Sequence, residues 1–508
     1  MNSDSREKQD SNPLIQKFRQ QYPGYEVVWE SVEIQNGVTF FMSGYHQNFF
    51  LILLSENEES ITSHFSGERL NPDGLQVLKC EKNHHNAEEL RKLFPFTKPV
   101  LIGKENSYGL GDRLGNAGVA HLKAVRKTSF KPVLAQQSIR ELTRTNRTAG
   151  EVLDAASWAA FQTGYREGFG ADGDHLKTSD DIDLMVKAGY TMFTIDPSDH
   201  VVNEALTMSN DELKRRFSEL PWKELKDEPD AILGRYDGKT VELTNAMIGP
   251  VSREDLMISM VKYGRVVAHT GKLSDYLQKS YPDHPAELEL SVDETDEPTT
   301  LFEHYLIASE LSRLGVELVS LAPRFCGDFE KGIDFKGDLD QFKSEYSDHL
   351  AIAEKFGGYK LSIHSGSDKF SVYEAVGSLN RGAVHVKTAG TSYLEALRTV
   401  AEAEPAFFRE ILEYCRKRFD EDKKTYHISG KLENIPPDQS LRDHQLKELL
   451  DDNDARQVLH VTYGSVLAGK DTEAASFKGR LMECLKRHSE LYEKNLEIHF
   501  DKHLEPFC

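Results

Sequence analysis

The stretch YKLSIHSGSDKF, residues 359–370, alternates polar with apolar side chains and then breaks into a turn rich in serine and glycine. Lys360, Ser362 and His364 share one face of this alternation, and Leu361 lies on the other face. A period of two residues is typical of a β-strand. The apolar face predicts contact with a hydrophobic layer. The polar face predicts that the strand looks into a space shared with other polar groups.

Seven more strand candidates of similar length are separated by segments with helical character. They are PVLIGK (99–104), KPVLAQQS (131–138), GADGDHLKT (170–178), YTMFTID (190–196), AELELSVDET (286–295), ELVSLAPRF (317–325) and AVHVKTAG (383–390). A ninth stretch, VLHVTYG (458–464), fits a helix equally well and is set aside. Eight strands that each precede a helix predict an α/β fold, a (β/α)8 TIM-like barrel, with its active site at the C-terminal ends of the strands.

The predicted barrel occupies the middle of the chain. Residues 1–95 have the pattern of an N-terminal α/β cap, because three strand-like runs precede one helical run. Residues 96–393 form the predicted catalytic barrel, with a helical insert at about 197–283. Residues 394–508 are predicted to form a helical C-terminal extension.

Composition limits the classes of partner. The net charge of -21 argues against a surface that coats nucleic acid or anionic lipid. The run FFLILL from Phe49 is far shorter than the ~20 residues that cross a bilayer, and the first residues carry no apolar leader. Five scattered cysteines without a CxxC pair indicate a reducing compartment. We expect a cytoplasmic protein without nucleic-acid or membrane partners, and leave open whether it forms a homo-oligomer.

Polar side chains gather at the predicted strand ends. Counting in steps of two along each strand places these groups inward or at the rim: His175, Lys177, Glu289, Asp293, Glu294, Arg324, His364, His385 and Lys387. In a hydrophobic interior, each polar group left unpaired would cost ~1–3 kcal/mol. Their joint appearance therefore favours a functional site over chance.

Imidazoles and carboxylates without thiolates suit a divalent metal ion such as Zn, Mn, Co or Ni. His175, His364 and His385 are the expected ligands. By strand register His385 lies deeper than His364, so it also fits the role of a hydrogen-bond partner to a ligand.

Three carboxylates are candidates for proton transfer. Strict alternation turns Asp174 away from the barrel interior, but a bulge at Gly173 could redirect it, and Asp174 is the expected base. Glu289, from within the barrel, and Glu294, from its rim, are alternative acids.

Several long motifs together resemble the tagaturonate epimerase family of bacterial hexuronate catabolism. They are SYGLGDRLG, LAQQSIREL, ADGDHLKT, ELSVDETDEPTT, SLAPRFCGDFEKGIDF, YKLSIHSGSDKFSVY and HVKTAGTSYLEAL, within about residues 95–400. The resemblance implies a metal-dependent interconversion of D-tagaturonate and D-fructuronate. It also implies that some relatives act on the neutral sugars tagatose and fructose.

That activity constrains the mechanism. The two sugars differ at a carbon β to the ketone, whose C–H bond the carbonyl does not acidify. Transient oxidation by a nicotinamide would need a site, and SYGLGDRLG has the spacing GxGxxxG rather than that of a dinucleotide fingerprint. Retro-aldol cleavage remains, with Asp174 and a glutamate exchanging the hydroxyl proton and a metal as Lewis acid. The expected substrate-binding residues are Gln137, Lys177, Arg324, Ser365 and Lys387.

Two other classes of protein stay open. One is a sugar lyase or isomerase that forms a Schiff base through Lys177 or Lys387. The other is a non-catalytic protein that binds a sugar acid, which needs binding groups but not an acid, a base and a metal together.

Overall fold

The computed structural model of the chain describes residues 12–45, 48–57, 64–70, 74–388, 390–437, 440–469 and 474–508. The expectation about an apolar leader concerns residues 1–11, which lie outside this description. Among the described residues, no helix is both long and apolar enough to cross a membrane.

The N-terminal part is a five-stranded antiparallel sheet in the order β1-β2-β3-β5-β4. Its strands are β1 (Glu26–Gln35), β2 (Val38–Tyr45), β3 (Asn48–Ser55), β4 (Glu68–Leu70) and β5 (Gln76–Cys80). Alternation along β2 and β3 separates two buried faces. Phe41 and Ile52 pack with Phe18 on one face, whereas Phe40 and Leu51 belong to a second cluster on the other.

Ten more strands follow. They are β6 (Ser107–Leu110), β7 (Lys131–Ser138), β8 (Gly170–Leu176), β9 (Met192–Ile195), β10 (Val241–Glu242), β11 (Met247–Ile248), β12 (Glu287–Val292), β13 (Leu318–Pro323), β14 (Lys360–Ile363) and β15 (Val384–Thr388). Strands β10 and β11 pair with each other, and the other eight close into a parallel barrel in the order β12-β13-β14-β15-β6-β7-β8-β9. The predicted (β/α)8 barrel is confirmed.

The helices surround the barrel and the N-terminal sheet. They are α1 (Pro13–Gln21), α2 (His84–Leu93), α3 (Gly118–Val125), α4 (Ile139–Thr145), α5 (Ala149–Thr163), α6 (Ser179–Ala188), α7 (Asn210–Ser218), α8 (Pro229–Tyr236), α9 (Arg253–Ser280), α10 (Leu301–Arg313), α11 (Leu339–Lys355), α12 (Phe370–Gly377), α13 (Thr391–Ala403), α14 (Pro405–Asp422), α15 (Asn453–Val461), α16 (Tyr463–Ala468), α17 (Ala474–Arg487) and α18 (Ser489–Leu504). The stretch VLHVTYG (458–464), which fits a helix as well as a strand, is mainly helical: residues 458–461 belong to α15 and residues 463–464 to α16.

One predicted barrel strand is wrong. Residues 99–104 are not a strand, and the barrel uses β6 a few residues later. The N–H groups of Ile102 and Gly103 donate to the carboxylate of Glu287 at 3.1 and 2.7 Å. The Nζ of Lys360 donates to the Gly103 carbonyl at 2.7 Å. Since Glu287 and Lys360 begin their strands, this segment covers the N-terminal end of the barrel.

The C-terminal helices brace the loop that follows β14. The N–H of Asp368 donates to His503 of α18 at 3.1 Å. The carboxylate of Asp368 lies 2.8 Å from the guanidinium of Arg456 on α15. The ring of Phe500 on α18 also packs against His121 of α3, with centroids 4.6 Å apart. The loop after the strand quoted at the outset is thus held from outside the barrel.

We predict that Glu287→Ala lowers the free energy of unfolding by about 3 kcal/mol, because two backbone N–H groups lose an ionised acceptor and each such bond is worth ~1.5–3 kcal/mol. Urea unfolding measures this change. Glu105→Ala is the control, since the Glu105 side chain is 63% exposed and 3.7 Å from Lys131, and it should cost less than about 0.5 kcal/mol. Equal effects of the two substitutions would contradict the role of Glu287.

Candidate active site

A buried ammonium lies at the centre of the candidate site. The Nζ of Lys387, on β15, is 2.7 Å from Asp172, 2.9 Å from Asp174 and 2.7 Å from Glu289. It also donates to the hydroxyl of Thr194 at 2.6 Å. Burial opposes the charge of Lys387, but the three carboxylates outweigh burial and hold its pKa well above the ordinary value. Lys387 is therefore a charged residue already surrounded by acceptors.

Two of these carboxylates also hold imidazole rings. His175 Nδ1 lies 2.7 Å from Asp174 Oδ1. His364 Nε2 lies 2.7 Å from Glu289 Oε1. The two rings have centroids 5.4 Å apart. A carboxylate on one nitrogen of each ring fixes its orientation and leaves the other nitrogen for a ligand, which is the usual surrounding of metal-binding histidines.

The carboxylate of Asp293 lies close to both rings. His175, Asp293 and His364 each offer one ligand atom within 4.8 Å of the others. His364 Nδ1 lies 3.1 Å from Asp293 Oδ1, yet it is buried without a hydrogen-bond partner among the described residues. Two imidazoles and a carboxylate that converge in this way are suited to a divalent ion.

A bulge in β8 brings His175 to this point. Asp172 and Asp174 both face inward, whereas a Cβ on Gly173 would meet Met185 of α6 at 2.6 Å, outside the barrel. His175 has φ +55°, and the register with β9 shifts between Gly173 and Leu176. The expected bulge exists, but it redirects His175 rather than Asp174. Sequence alternation had assigned the wrong face to Asp174 and had not identified Asp172.

The bulge also explains the position of Lys177. Its Nζ donates to Asp199 and Ser198, at 2.9 Å in each case. The side chain is 40% exposed. Lys177, predicted to bind substrate, therefore lies at the rim with partners of its own and not in the site.

His385 does not reach the cluster of His175, Asp293 and His364. It pairs in register with Ser362, two residues before His364, and its Nδ1 lies 2.8 Å from Ser107 Oγ. Burial lowers its pKa to about 3. His385, predicted to be a metal ligand, therefore lies outside the cluster, whereas Asp293, which alternation placed inward without a role, lies within it.

Gln137, predicted to bind substrate, does not lie beside the cluster, whereas its neighbour Gln136 does. Gln137 donates to the Asp112 carbonyl at 3.1 Å. Gln136 donates to Asp174 Oδ2 at 3.1 Å and lines a small cavity beside the site. The polar side chain of β7 that belongs to the site is therefore Gln136.

The three predicted acid–base residues differ in their hydrogen-bond and ion-pair partners and in their exposure to solvent. Asp174 is bound by His175, Lys387 and Gln136, and Glu289 shares its Oε1 with His364 and Lys387. Despite burial, neighbouring cations hold the pKa values of both carboxyl groups well below the ordinary range. Glu294 is 49% exposed, with Oε1 3.8 Å from His175 Nε2. Of the three carboxylates, Glu294 is the most exposed.

A cavity of about 530 Å³ opens beside the cluster. Its wall includes Asp293, Glu294 and His364, together with the predicted substrate-binding residues Arg324 and Ser365. Residues that the sequence did not identify also line it, namely Arg140, Lys331, Thr425, Tyr426 and His427. The volume lies in the range of ~300–1,000 Å³ that is typical of small-molecule sites.

Comparison with known proteins gives consistent results. The family model of UxaE, tagaturonate epimerase, matches residues 28–507. A tagaturonate/fructuronate epimerase of Thermotoga maritima is 42% identical over 482 residues, which cover 95% of this chain and 97% of the relative.

Solved structures agree with these matches. A glycerol complex of the fructuronate-tagaturonate epimerase UxaE from Cohnella laeviribosi has a TM-score of 0.89 at 39% identity, covering 97% of this chain and 99% of that one. The native structure of the same epimerase has a TM-score of 0.89 at 38% identity and covers 99% of both chains.

We predict that Lys387→Met lowers the free energy of unfolding by about 3–5 kcal/mol, because three buried carboxylates lose their counter-charge. Thermal and urea unfolding measure this change. Lys177→Met is the control. It removes a lysine from a half-exposed ion pair and should lower the free energy of unfolding by less than about 1 kcal/mol. Similar losses in the two variants would contradict the central role of Lys387.

Proposed function

The chain belongs to the tagaturonate epimerase family, and we propose on this basis that it interconverts D-tagaturonate and D-fructuronate. The observation that carries the proposal is the 42% identity to an epimerase of that name over almost the whole chain. The candidate site adds a convergent set of ionisable groups at the mouth of the barrel, where (β/α)8 enzymes hold their catalytic residues.

We propose that His175, Asp293 and His364 hold a divalent metal ion. The support is the buried Nδ1 of His364, which has no hydrogen-bond partner in the part of the chain that the structure describes and lies 3.1 Å from a carboxylate oxygen. Asp174 and Glu289 keep the two rings aligned from behind. When bound, such an ion supplies positive charge that stabilises negative charge developing on substrate oxygens.

The proposed chemistry is retro-aldol cleavage followed by aldol addition. The two sugars differ at a carbon β to the ketone, so direct removal of its hydrogen is unfavourable. Instead, a base takes the proton of the hydroxyl at that carbon, and the O–H electron pair forms an aldehyde C=O. The neighbouring C–C bond breaks and leaves its electrons on an enediolate. Rotation of the aldehyde and re-addition give the epimer, and the hydroxyl recovers its proton.

Glu294 is the residue we assign to this proton exchange. Its carboxylate lines the cavity beside His175 and is half-exposed, so it can reach a substrate hydroxyl. Asp174 and Glu289, the other candidates, are occupied by Lys387 and by the two imidazoles. We assign them to positioning the rings rather than to proton transfer.

The electrostatics disfavour the Schiff-base alternative. Formation of an imine requires a neutral amine, whereas the carboxylates around Lys387 hold its pKa well above the ordinary value. The pKa of Lys177 is also raised, since Asp199 and Asp196 outweigh its desolvation. Neither lysine has the electrostatic surroundings of an amine nucleophile.

We expect the purified protein to convert D-tagaturonate into D-fructuronate and to contain a stoichiometric divalent ion. Chelation should abolish turnover, and added ions should restore it. His364→Asn should lower metal affinity and turnover by more than about 100-fold. Elemental analysis and a coupled epimerase assay measure these quantities.

His385→Asn is the matched control for His364→Asn. His385 lies one register step deeper in the neighbouring strand and is bonded to Ser107, so its replacement should leave the metal content intact. Loss of metal from His385→Asn but not from His364→Asn would reverse the ligand assignment. Full turnover by metal-free protein would refute the metal-assisted reaction.

We further expect Glu294→Gln to lower kcat by about 10²–10⁴-fold at unchanged metal content, because it removes a group that exchanges a proton. Asp174→Asn should show the opposite pattern, with metal affinity lowered by about 10–100-fold. Steady-state kinetics at saturating metal, with metal titrations, separate the two effects. Retained kcat in Glu294→Gln would exclude this residue as the acid–base group.

A further inference from the structure

Three cationic side chains line the 530 Å³ cavity without a carboxylate partner. They are Arg140, Arg324 and Lys331. Within the described part of the chain, none of them has an acidic oxygen within 4.0 Å. The chain has 83 acidic and 62 basic side chains, so acidic partners are abundant. Three unpaired cations on one cavity wall therefore point to an anion supplied from outside.

Other cations near the barrel mouth are paired. Arg113, which lines the smaller cavity, lies 3.0 Å from buried Glu141. Lys177 lies 2.9 Å from Asp199. The contrast separates residues that hold the protein together from those whose donors remain available.

The available donors come from different elements of the fold. Arg324 follows β13, and its buried Nε has no hydrogen-bond partner within residues 12–508 as far as they are described. Arg140, on α4, lies over the ring of Tyr426 at 5.7 Å. Burial, and then the charge of Arg140, lower the pKa of Lys331, although the carboxylates of Glu294, Asp293 and Glu141 act in the opposite direction. An anion placed among these groups would relieve both the missing hydrogen bond and the repulsion.

The subsite adjoins the proposed metal-binding cluster. The Nζ of Lys331 donates to Ser365 Oγ at 2.5 Å, and Ser365 directly follows His364. Four carboxylates share the cavity, namely Asp293, Glu294, Asp296 and Asp328. Asp293 lies against His364, Glu294 Oε1 lies 3.8 Å from His175 Nε2, and Asp328 lies 3.6 Å from His427. A bound molecule can thus span from the cations to the cluster.

We infer that Arg140, Arg324 and Lys331 form a carboxylate subsite that holds the acid end of a sugar acid while its carbinol carbons lie at the His175–Asp293–His364 cluster. This inference rests on the proposed function and deepens it. Arginine suits the role because its planar fork donates two parallel hydrogen bonds to a carboxylate. A neutral ketohexose lacks that group, so the subsite determines the preference for uronates.

The test compares D-tagaturonate with D-tagatose, the same carbon framework with and without the carboxylate. For Arg324→Met, Arg140→Met and Lys331→Met, kcat/KM and calorimetric affinity for D-tagaturonate should fall by about 10–100-fold each. Affinity for D-tagatose should change less than about 3-fold. Lys177→Met is the control and should leave both unchanged, because Lys177 lies outside the cavity. Arg324→Lys should recover part of the loss.

The outcomes separate this inference from the proposed function. If the wild type epimerises D-tagaturonate but the three variants keep its ratio of affinities for the two sugars, the carboxylate subsite is wrong and the function stands. An equal loss for both sugars also overturns the inference, since the residues would then only shape the cavity. If the wild type binds D-tagaturonate without epimerising it, and the variants lose that binding selectively, the function fails and the subsite stands.

Discussion

The arrangement of the barrel centre depends on one buried ammonium. Lys387 lies among three carboxylates that would otherwise repel one another. Removing such charges from water costs several kcal/mol for each ion, so the cluster is stable only when every partner is present. Two of the carboxylates also orient His175 and His364. The ion pairs that join strands β8, β12 and β15 therefore fix the geometry of the candidate site as well.

Most of the barrel could be predicted because its strands are short apolar or alternating runs between helical segments. Seven of the eight predicted strands overlap those of the structure. The exception shows the limit of this reasoning. PVLIGK looks like a strand, but its N–H groups bind Glu287, whereas the real strand at Ser107–Leu110 is too short to be distinctive. The choice between these two segments depends on long-range contacts that form only in the closed barrel.

The candidate site was less predictable than the fold. His364 and Glu289 lie where alternation along regular strands places them. On β8, His175 adopts a left-handed conformation, so alternation counted back from His175 and Lys177 assigns the wrong faces: Asp174 lies inside and Lys177 at the rim. Lys331 lies in a loop and Arg140 on helix α4, so the two-residue alternation of the strands does not indicate the direction of either side chain. Tyr426 is far from them in sequence and reaches the cavity only through tertiary packing.

The covered end of the barrel has a kinetic consequence. The segment 99–104, bound by Glu287 and Lys360, closes the N-terminal end of the barrel beneath the ion cluster. Small molecules therefore enter and leave through the C-terminal mouth. Under the proposed reaction, the two epimers share that opening and one set of contacts. Each is then a competitive inhibitor of the conversion of the other, and the net direction of flux follows their relative concentrations.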